Sequence, residues 1–165
     1  MGLHRAGFDV TGIDIKPQPR YPFRFIRADA LKPPVRLEDF DLVWASPPCQ
    51  HYTALRAVHP DMKSWDSIPP TRGLLESSGG LYVIENVVGA PVRADVVLCG
   101  EMFGLQTYRH RLFECSGFMV MQQPHPRHRV PHCTRKRRRS FDAGLFISVT
   151  GNVGSYLGPK CLGID

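Results

Sequence analysis

Asp41-Leu-Val-Trp-Ala-Ser-Pro-Pro-Cys-Gln50 is an apolar run that ends in a Pro-Pro turn presenting one cysteine, Cys49. The run from Phe40 to Ala45 is short and bounded by turn residues, which is the pattern of a buried parallel strand. Two later stretches share this design. Leu81-Tyr-Val-Ile-Glu-Asn-Val87 is a second buried-strand run, and it carries a carboxylate, Glu85. Tyr108-Arg-His-Arg-Leu112 sets Arg109 and Arg111 on alternate positions. A thiol, an acid and paired cations, each tied to an apolar segment, point to nucleophilic chemistry on an electron-rich, anionic substrate.

Working outward, Leu3 to Gly7 predicts a short helix closed by glycine, and Phe8 to Ile15 a strand with Asp14 near its end. The proline-rich stretch from Lys16 to Pro22 predicts a loop. Phe23 to Ile26 alternates like a strand and leads into Arg27-Ala-Asp-Ala30. His51 to Pro70, broken by Pro60, Pro69 and Pro70, predicts a long loop, and Arg72 to Ser78 a helix stopped by Gly79-Gly80. Val96 to Cys99, Leu112 to Cys115 and Phe146 to Thr150 complete the strands. Strands separated by helices and loops argue for an α/β sheet. In an open parallel sheet, ligands bind beyond the carboxyl ends of the strands. Asp14, Asp29, Cys49 and Glu85 would then gather along one edge, where acids otherwise serve as solvated loop residues. Cys49 differs from an ordinary buried cysteine because the Pro-Pro turn fixes its backbone at little entropic cost. Cys99, Cys115 and Cys161 read as small buried apolar residues.

The chain has 165 residues, enough for one domain with a core, and 42% hydrophobic with 22% charged residues is the balance of a globular protein. No apolar run is long enough to span a membrane. Without a signal-like apolar start, the expected location is the cytoplasm. Five irregularly spaced cysteines do not form a disulfide framework, which leaves Cys49 available as a nucleophile. The net charge is +6, and its source is local: Arg127, Arg129, Arg135, Lys136, Arg137, Arg138 and Arg139 lie between Gln122 and Ser140 with no acid among them. Those seven exceed the whole surplus, so the rest of the chain is close to neutral, and a clustered basic segment on a neutral body points to a polyanion partner. Its composition differs from both flanks, which predicts a surface insertion.

Together these residues resemble the cytosine-C5 DNA methyltransferases. Ser46-Pro-Pro-Cys-Gln50 resembles their catalytic motif, Glu85-Asn-Val87 their second one, and Arg109-His-Arg111 their paired arginines, with Thr107 where the family has Gln. Gly2-Leu-His-Arg-Ala-Gly-Phe8 is similar to the tail of their first cofactor motif, and order and spacing agree from Gly2 to Glu114. Methyltransferases acting on an exocyclic amino nitrogen carry an aromatic residue after Pro-Pro, because that nitrogen is already a nucleophile. Ring carbon C5 is not, so a cysteine at position 49 selects carbon methylation.

The resemblance implies an α/β, Rossmann-like S-adenosylmethionine-dependent methyltransferase sheet that lacks its first strand and glycine-rich turn, with a short basic insertion and a last motif cut away. Residues 1–115 would be a partial catalytic domain, 116–145 a short target-recognition-like segment and 146–165 the return to the catalytic domain. It further implies that Cys49, Glu85, Arg109 and Arg111 are catalytic and that Asp14, Ile15, Asp29, Ala30 and Pro47 bind S-adenosyl-L-methionine. Gln50 and the seven basic residues of the insertion would contact double-stranded DNA carrying a flipped cytosine. The expected activity is DNA (cytosine-5-)-methyltransferase in a bacterial or phage-infected cell; the alternative is a non-catalytic DNA-binding remnant of such an enzyme. A cysteine hydrolase pairing Cys49 with His51 leaves Glu85 and both arginines without a role. His125, His128, His132 and Cys133 crowd into nine residues and are zinc-ligand types. Their spacing matches no standard finger, and histidines among arginines also suit a phosphate-binding surface, so no metal is assigned and zinc stands as the lesser alternative.

Overall fold

The computed structural model describes residues 1–53, 64–133 and 142–147, and in them the fold is mixed α/β. Helix α1 (Gly2–Arg5) leads through Gly7, which adopts φ 96°, into strand β1 (Thr11–Asp14). β1 pairs in parallel with β2 (Arg24–Arg27), Asp14 lying opposite Arg27. Next come β3 (Val43–Ala45), helix α2 (Ile68–Ser78), β4 (Tyr82–Asn86), β5 (Val96–Leu98) and β6 (Arg111–Ser116). The last two described strands, β7 (His132–Cys133) and β8 (Phe146–Ile147), form a small parallel pair.

The largest sheet has the order β3-β4-β6-β5. β3 and β4 run parallel, as the apolar runs predict, but β6 is antiparallel to both its neighbours, so the sheet is mixed rather than open and parallel. β3 is an edge strand of this sheet rather than one buried on both faces. Its Trp44 is half-exposed and packs edge-on against Phe113 with ring centroids 5.7 Å apart. β1 and β2 form a sheet of their own, which among the described residues is not joined to the larger one by strand pairing.

Helix α2 begins four residues before the predicted start at Arg72. Pro69 and Pro70 fall in its first turn, where backbone N–H groups have no intrahelical acceptor, so the missing donors cost nothing. Gly79 closes the helix in the left-handed conformation at φ 69°. Leu75 from α2 packs against Tyr82 and Ile84 of β4, with Leu37, Val43, Ala45 and Val92 around them. Tyr82 and Ile84 are two apart, so they share the sheet face turned to the helix.

The register places Glu114 of β6 opposite Ile84, on that same face and under α2. Glu114 is 1% exposed, and Arg72 from the helix meets it with two parallel bonds, Nε to Oε1 at 2.8 Å and Nη2 to Oε2 at 2.7 Å. The Arg93 backbone N–H adds a third bond at 2.8 Å. The Arg72 guanidinium holds the Glu114 carboxyl below its ordinary range against the opposing effect of burial. No helix among the described residues is long and apolar enough to cross a membrane.

Because the folded-state value of Glu114 is lowered, the pair's stabilisation is complete above the ordinary carboxyl value of 4.5 and is lost as pH falls through the folded value. Glu114→Gln should lower unfolding stability at pH 7 by roughly 3–5 kcal/mol, since it strands a largely buried guanidinium. Urea denaturation should show the gap between wild type and variant narrowing below pH 4.5. A gap independent of pH would remove the ion pair from the stability of the fold.

Candidate active site

The Cys49 turn is held by its carbonyls. Prolines have no backbone N–H, so their C=O groups are the only main-chain handles available at Pro47 and Pro48. Asn86, 2% exposed at the end of β4, donates from Nδ2 to the Pro47 carbonyl at 2.9 Å. Its own Oδ1 accepts from the Val87 N–H at 2.9 Å, which fixes the amide orientation. Ser67, buried at the start of α2, donates from Oγ to the Pro48 carbonyl at 3.0 Å. The Tyr52 N–H donates to the Cys49 carbonyl at 3.0 Å. Three successive carbonyls are therefore pinned, and the half-buried Cys49 thiol is carried on a turn bound to the strand that bears Glu85.

Alternation does the same for the charged groups. Glu85 faces away from α2, opposite Phe113 of β6, and Arg111 lies two residues before Phe113 on the same face. Arg111 Nε and Glu85 Oε1 form an ion pair at 2.7 Å, each side chain about a fifth exposed (22% and 21%). Arg111 Nη1 also donates to the His110 carbonyl at 2.8 Å. Burial and the like charge of Arg111 pull Arg109 below the ordinary guanidinium value, while Glu85 and Cys49 act in the opposite sense. Arg109 thus lies in the field of all three groups, and of the four residues expected to be catalytic Arg111 and Glu85 are in direct contact.

The five residues expected to bind cofactor also meet. Asp14, Ile15, Asp29, Ala30 and Pro47 all line one cleft of about 870 Å³ between β1 and β3. Asp14 accepts from the Lys16 N–H at 2.8 Å and from Gln18 Nε2 at 3.1 Å, and Asp29 accepts from the Leu31 N–H at 2.9 Å. An ionised carboxylate has about four acceptor sites, so both acids keep capacity for a ligand's hydroxyl or amino groups. Ile15 exposes an apolar side chain beside them. Two acids at strand ends with apolar walls suit an adenosine-like group, and the volume is ample for it. Pro47 and Pro48 line this cleft and directly precede Cys49, so one turn serves the cleft and the thiol.

Of the residues expected to contact DNA, Gln50, Arg127 and Arg129 are exposed. Arg135, Lys136, Arg137, Arg138 and Arg139 lie outside the described residues, as do the side chains of His132 and Cys133. The segment after β6 does not simply project from the surface. The Gln122 side chain takes a strand's place along β5, accepting from the Val97 N–H at 2.6 Å and donating to the Val97 carbonyl at 3.1 Å. Tyr108 donates to the Val130 carbonyl at 2.8 Å.

A search with the whole chain matches no family model, no curated protein and no solved structure. Neither Asn86 nor Ser67 stands out in the sequence alone. Asn86 sits inside a quoted motif, but only the folded register shows its amide reaching Pro47; Ser67 carried no signal beyond its place before two prolines. Asn86→Ala should cost about 1–3 kcal/mol, because it leaves the Pro47 carbonyl without its buried donor. Iodoacetamide labelling followed by peptide mass spectrometry should show Cys49 reacting several-fold faster in the variant, as the turn loosens. An unchanged rate would mean that Asn86 does not hold the thiol.

Proposed function

We propose that the chain is a DNA (cytosine-5-)-methyltransferase on a Rossmann-like sheet, with S-adenosylmethionine as methyl donor and double-stranded DNA as substrate. The observation that carries this reading is the Glu85–Arg111 ion pair on the strand whose Asn86 holds the Cys49 turn, a turn whose Pro47 and Pro48 line the cleft of Asp14 and Asp29. The five cofactor residues would divide the work by chemistry. Asp14 accepts from ribose hydroxyls, Asp29 from the adenine amino group, and Ile15, Ala30 and Pro47 supply apolar contact. Bound there, S-adenosylmethionine supplies an electrophilic methyl group.

The chain's own residues provide the rest. Cytosine C5 is a poor nucleophile, so Cys49 as thiolate adds to C6 and pushes the ring's electrons toward C5 and the N3 edge. Glu85 stabilises that edge by accepting from the amino group and passing a proton to N3 as charge builds there. Arg111 grips Glu85 through Nε, which orients the carboxylate, and its further N–H groups can meet the pyrimidine oxygen. After C5 has taken the methyl group, a base removes the C5 proton, the C5–C6 double bond re-forms and Cys49 leaves as thiolate. The target atoms are stacked inside a duplex, so the base must be extruded to reach the thiol. Arg127 and Arg129, exposed on the segment beside β5, suit phosphate contacts that hold the duplex in place.

Transfer of labelled methyl groups from S-adenosylmethionine to cytosine-containing duplex DNA should be abolished in Cys49→Ser, with DNA affinity changed less than about twofold. Equal methylation by the variant would overturn the covalent route. Asp14→Ala should weaken cofactor binding by about tenfold, one lost hydrogen-bonding group in a polar site. If calorimetry finds no heat of binding between wild type and millimolar S-adenosylmethionine while gel shifts still show DNA binding, the non-catalytic reading replaces this one.

A further inference from the structure

On the opposite face of β6 from Glu85, four side chains that the methyl-transfer reading leaves unused point at one another. β5 and β6 are antiparallel with Leu98 opposite Arg111. Continuing that register by one residue sets Cys99 opposite His110. The turn after Cys99 keeps the two close: a Cβ on Gly100 would lie 2.4 Å from the Thr107 carbonyl oxygen, so only glycine permits this approach. His125 and His128 come from the segment beyond β6. Tyr108 packs against the second of them, with its ring 3.8 Å from that of His128 and stacked at 4.3 Å on Phe146.

The His110 Nε2 atom lies 3.0 Å from His125 Nε2 and 3.1 Å from His128 Nε2. Hydrogen bonding alone does not satisfy this arrangement. A ring nitrogen carries either one N–H or one lone pair, so His110 Nε2 can serve one neighbour and not both. A cation at the centre satisfies all three lone pairs together. The Cys99 sulfur belongs to the same group, the four ligand atoms lying within 4.8 Å of one another. Outside the cluster, His128 Nδ1 lies 2.5 Å from Glu101 Oε2. A carboxylate on Nδ1 keeps the proton there and turns the Nε2 lone pair inward, as at metal-bound histidines.

We propose that Cys99, His110, His125 and His128 bind a zinc ion that clamps the Arg127–Arg129 segment behind the start of β6, next to Arg109 and Arg111. Three imidazoles and a thiolate are borderline-to-soft ligands, which select zinc and disfavour magnesium or calcium. Tetrahedral zinc with bonds of about 2.0–2.3 Å sets its ligand atoms roughly 3.3–3.6 Å apart, so the cluster needs to adjust by little more than an ångström. Four protein ligands close the coordination sphere, so this site is structural and leaves no position for substrate. Its placement still matters to the proposed chemistry. His110 stands between Arg109 and Arg111, and alternation sends its side chain to the other face. An ion fixing that ring fixes the backbone of both arginines from behind.

The test uses the full chain and does not depend on methyl transfer. Elemental analysis of purified protein should find one zinc per chain. Cobalt added to the zinc-free protein should give the intense d–d bands of a tetrahedral site together with a sulfur-to-cobalt charge-transfer band. Cys99→Ser should lose the charge-transfer band, and His125→Ala should weaken zinc binding at least a hundredfold. His125 is exposed and outside any strand, so that variant keeps its fold, as circular dichroism will verify. His132→Ala and Cys133→Ser should retain the ion. Wild type without stoichiometric zinc, or zinc lost from the His132 and Cys133 variants but kept by Cys99→Ser and His125→Ala, would overturn the assignment.

Discussion

Strand β6 is hydrogen-bonded on both sides, to β4 and to β5, and its side-chain alternation divides the molecule's chemistry between two faces. Glu114 turns toward α2 and closes the buried ion pair with Arg72. Arg111 turns the other way and meets Glu85. His110, one residue before the strand, turns back to the face where Cys99 waits. A slip of one residue in this register would exchange the faces: Arg111 would enter the helix side and Glu114 would leave Arg72 alone. The same pairing therefore fixes the core, the acid–arginine pair and the histidine cluster.

Around this strand the buried polar groups act as spacers between elements. Asn86 joins β4 to the Cys49 turn, Ser67 joins the start of α2 to the same turn, and Glu114 joins α2, β6 and the backbone at Arg93. Each is nearly or wholly removed from water and satisfied by a partner of matching type. Such groups add little net stability compared with apolar packing, yet they are costly to leave unmade, so they exclude alternative arrangements of the elements they connect. The result is a thiol and a carboxylate that share one scaffold although they are far apart in the chain.

Much of this was legible in the residues. The apolar runs at Phe40–Ala45 and Leu81–Val87 declare themselves by length and by the turn residues around them, and they do pair in parallel. Asp14, Asp29 and the Pro-Pro turn line one cleft, whereas Glu85 and Cys49 are not in its lining. Periodicity could not reveal the antiparallel sense of β6, because strand direction depends on the path of the chain and not on the pattern within the strand. The start of helix α2 is hidden in the sequence because proline usually ends helices, whereas in a first turn it fits. The histidine cluster was half visible. His125 and His128 stand out by proximity in sequence, but Cys99 and His110 join them only through the pairing of β5 with β6 and the close approach at Gly100. Ligands gathered from three segments leave no spacing for the eye to find.

The pair β1–β2 has one further consequence. A sheet of two short strands is marginal in water by itself, whereas β4 is flanked on both sides and packed under a helix. Amides from Thr11 to Asp14 should accordingly exchange their hydrogens with solvent far sooner than those of Tyr82 to Asn86. The acid at the end of β1 rests on that two-stranded pair. A ligand bound against that acid would quiet any such opening, and its apparent dissociation constant would be the intrinsic one divided by the fraction of molecules already ordered. Occupancy and local order at this end of the protein are then two readings of one equilibrium.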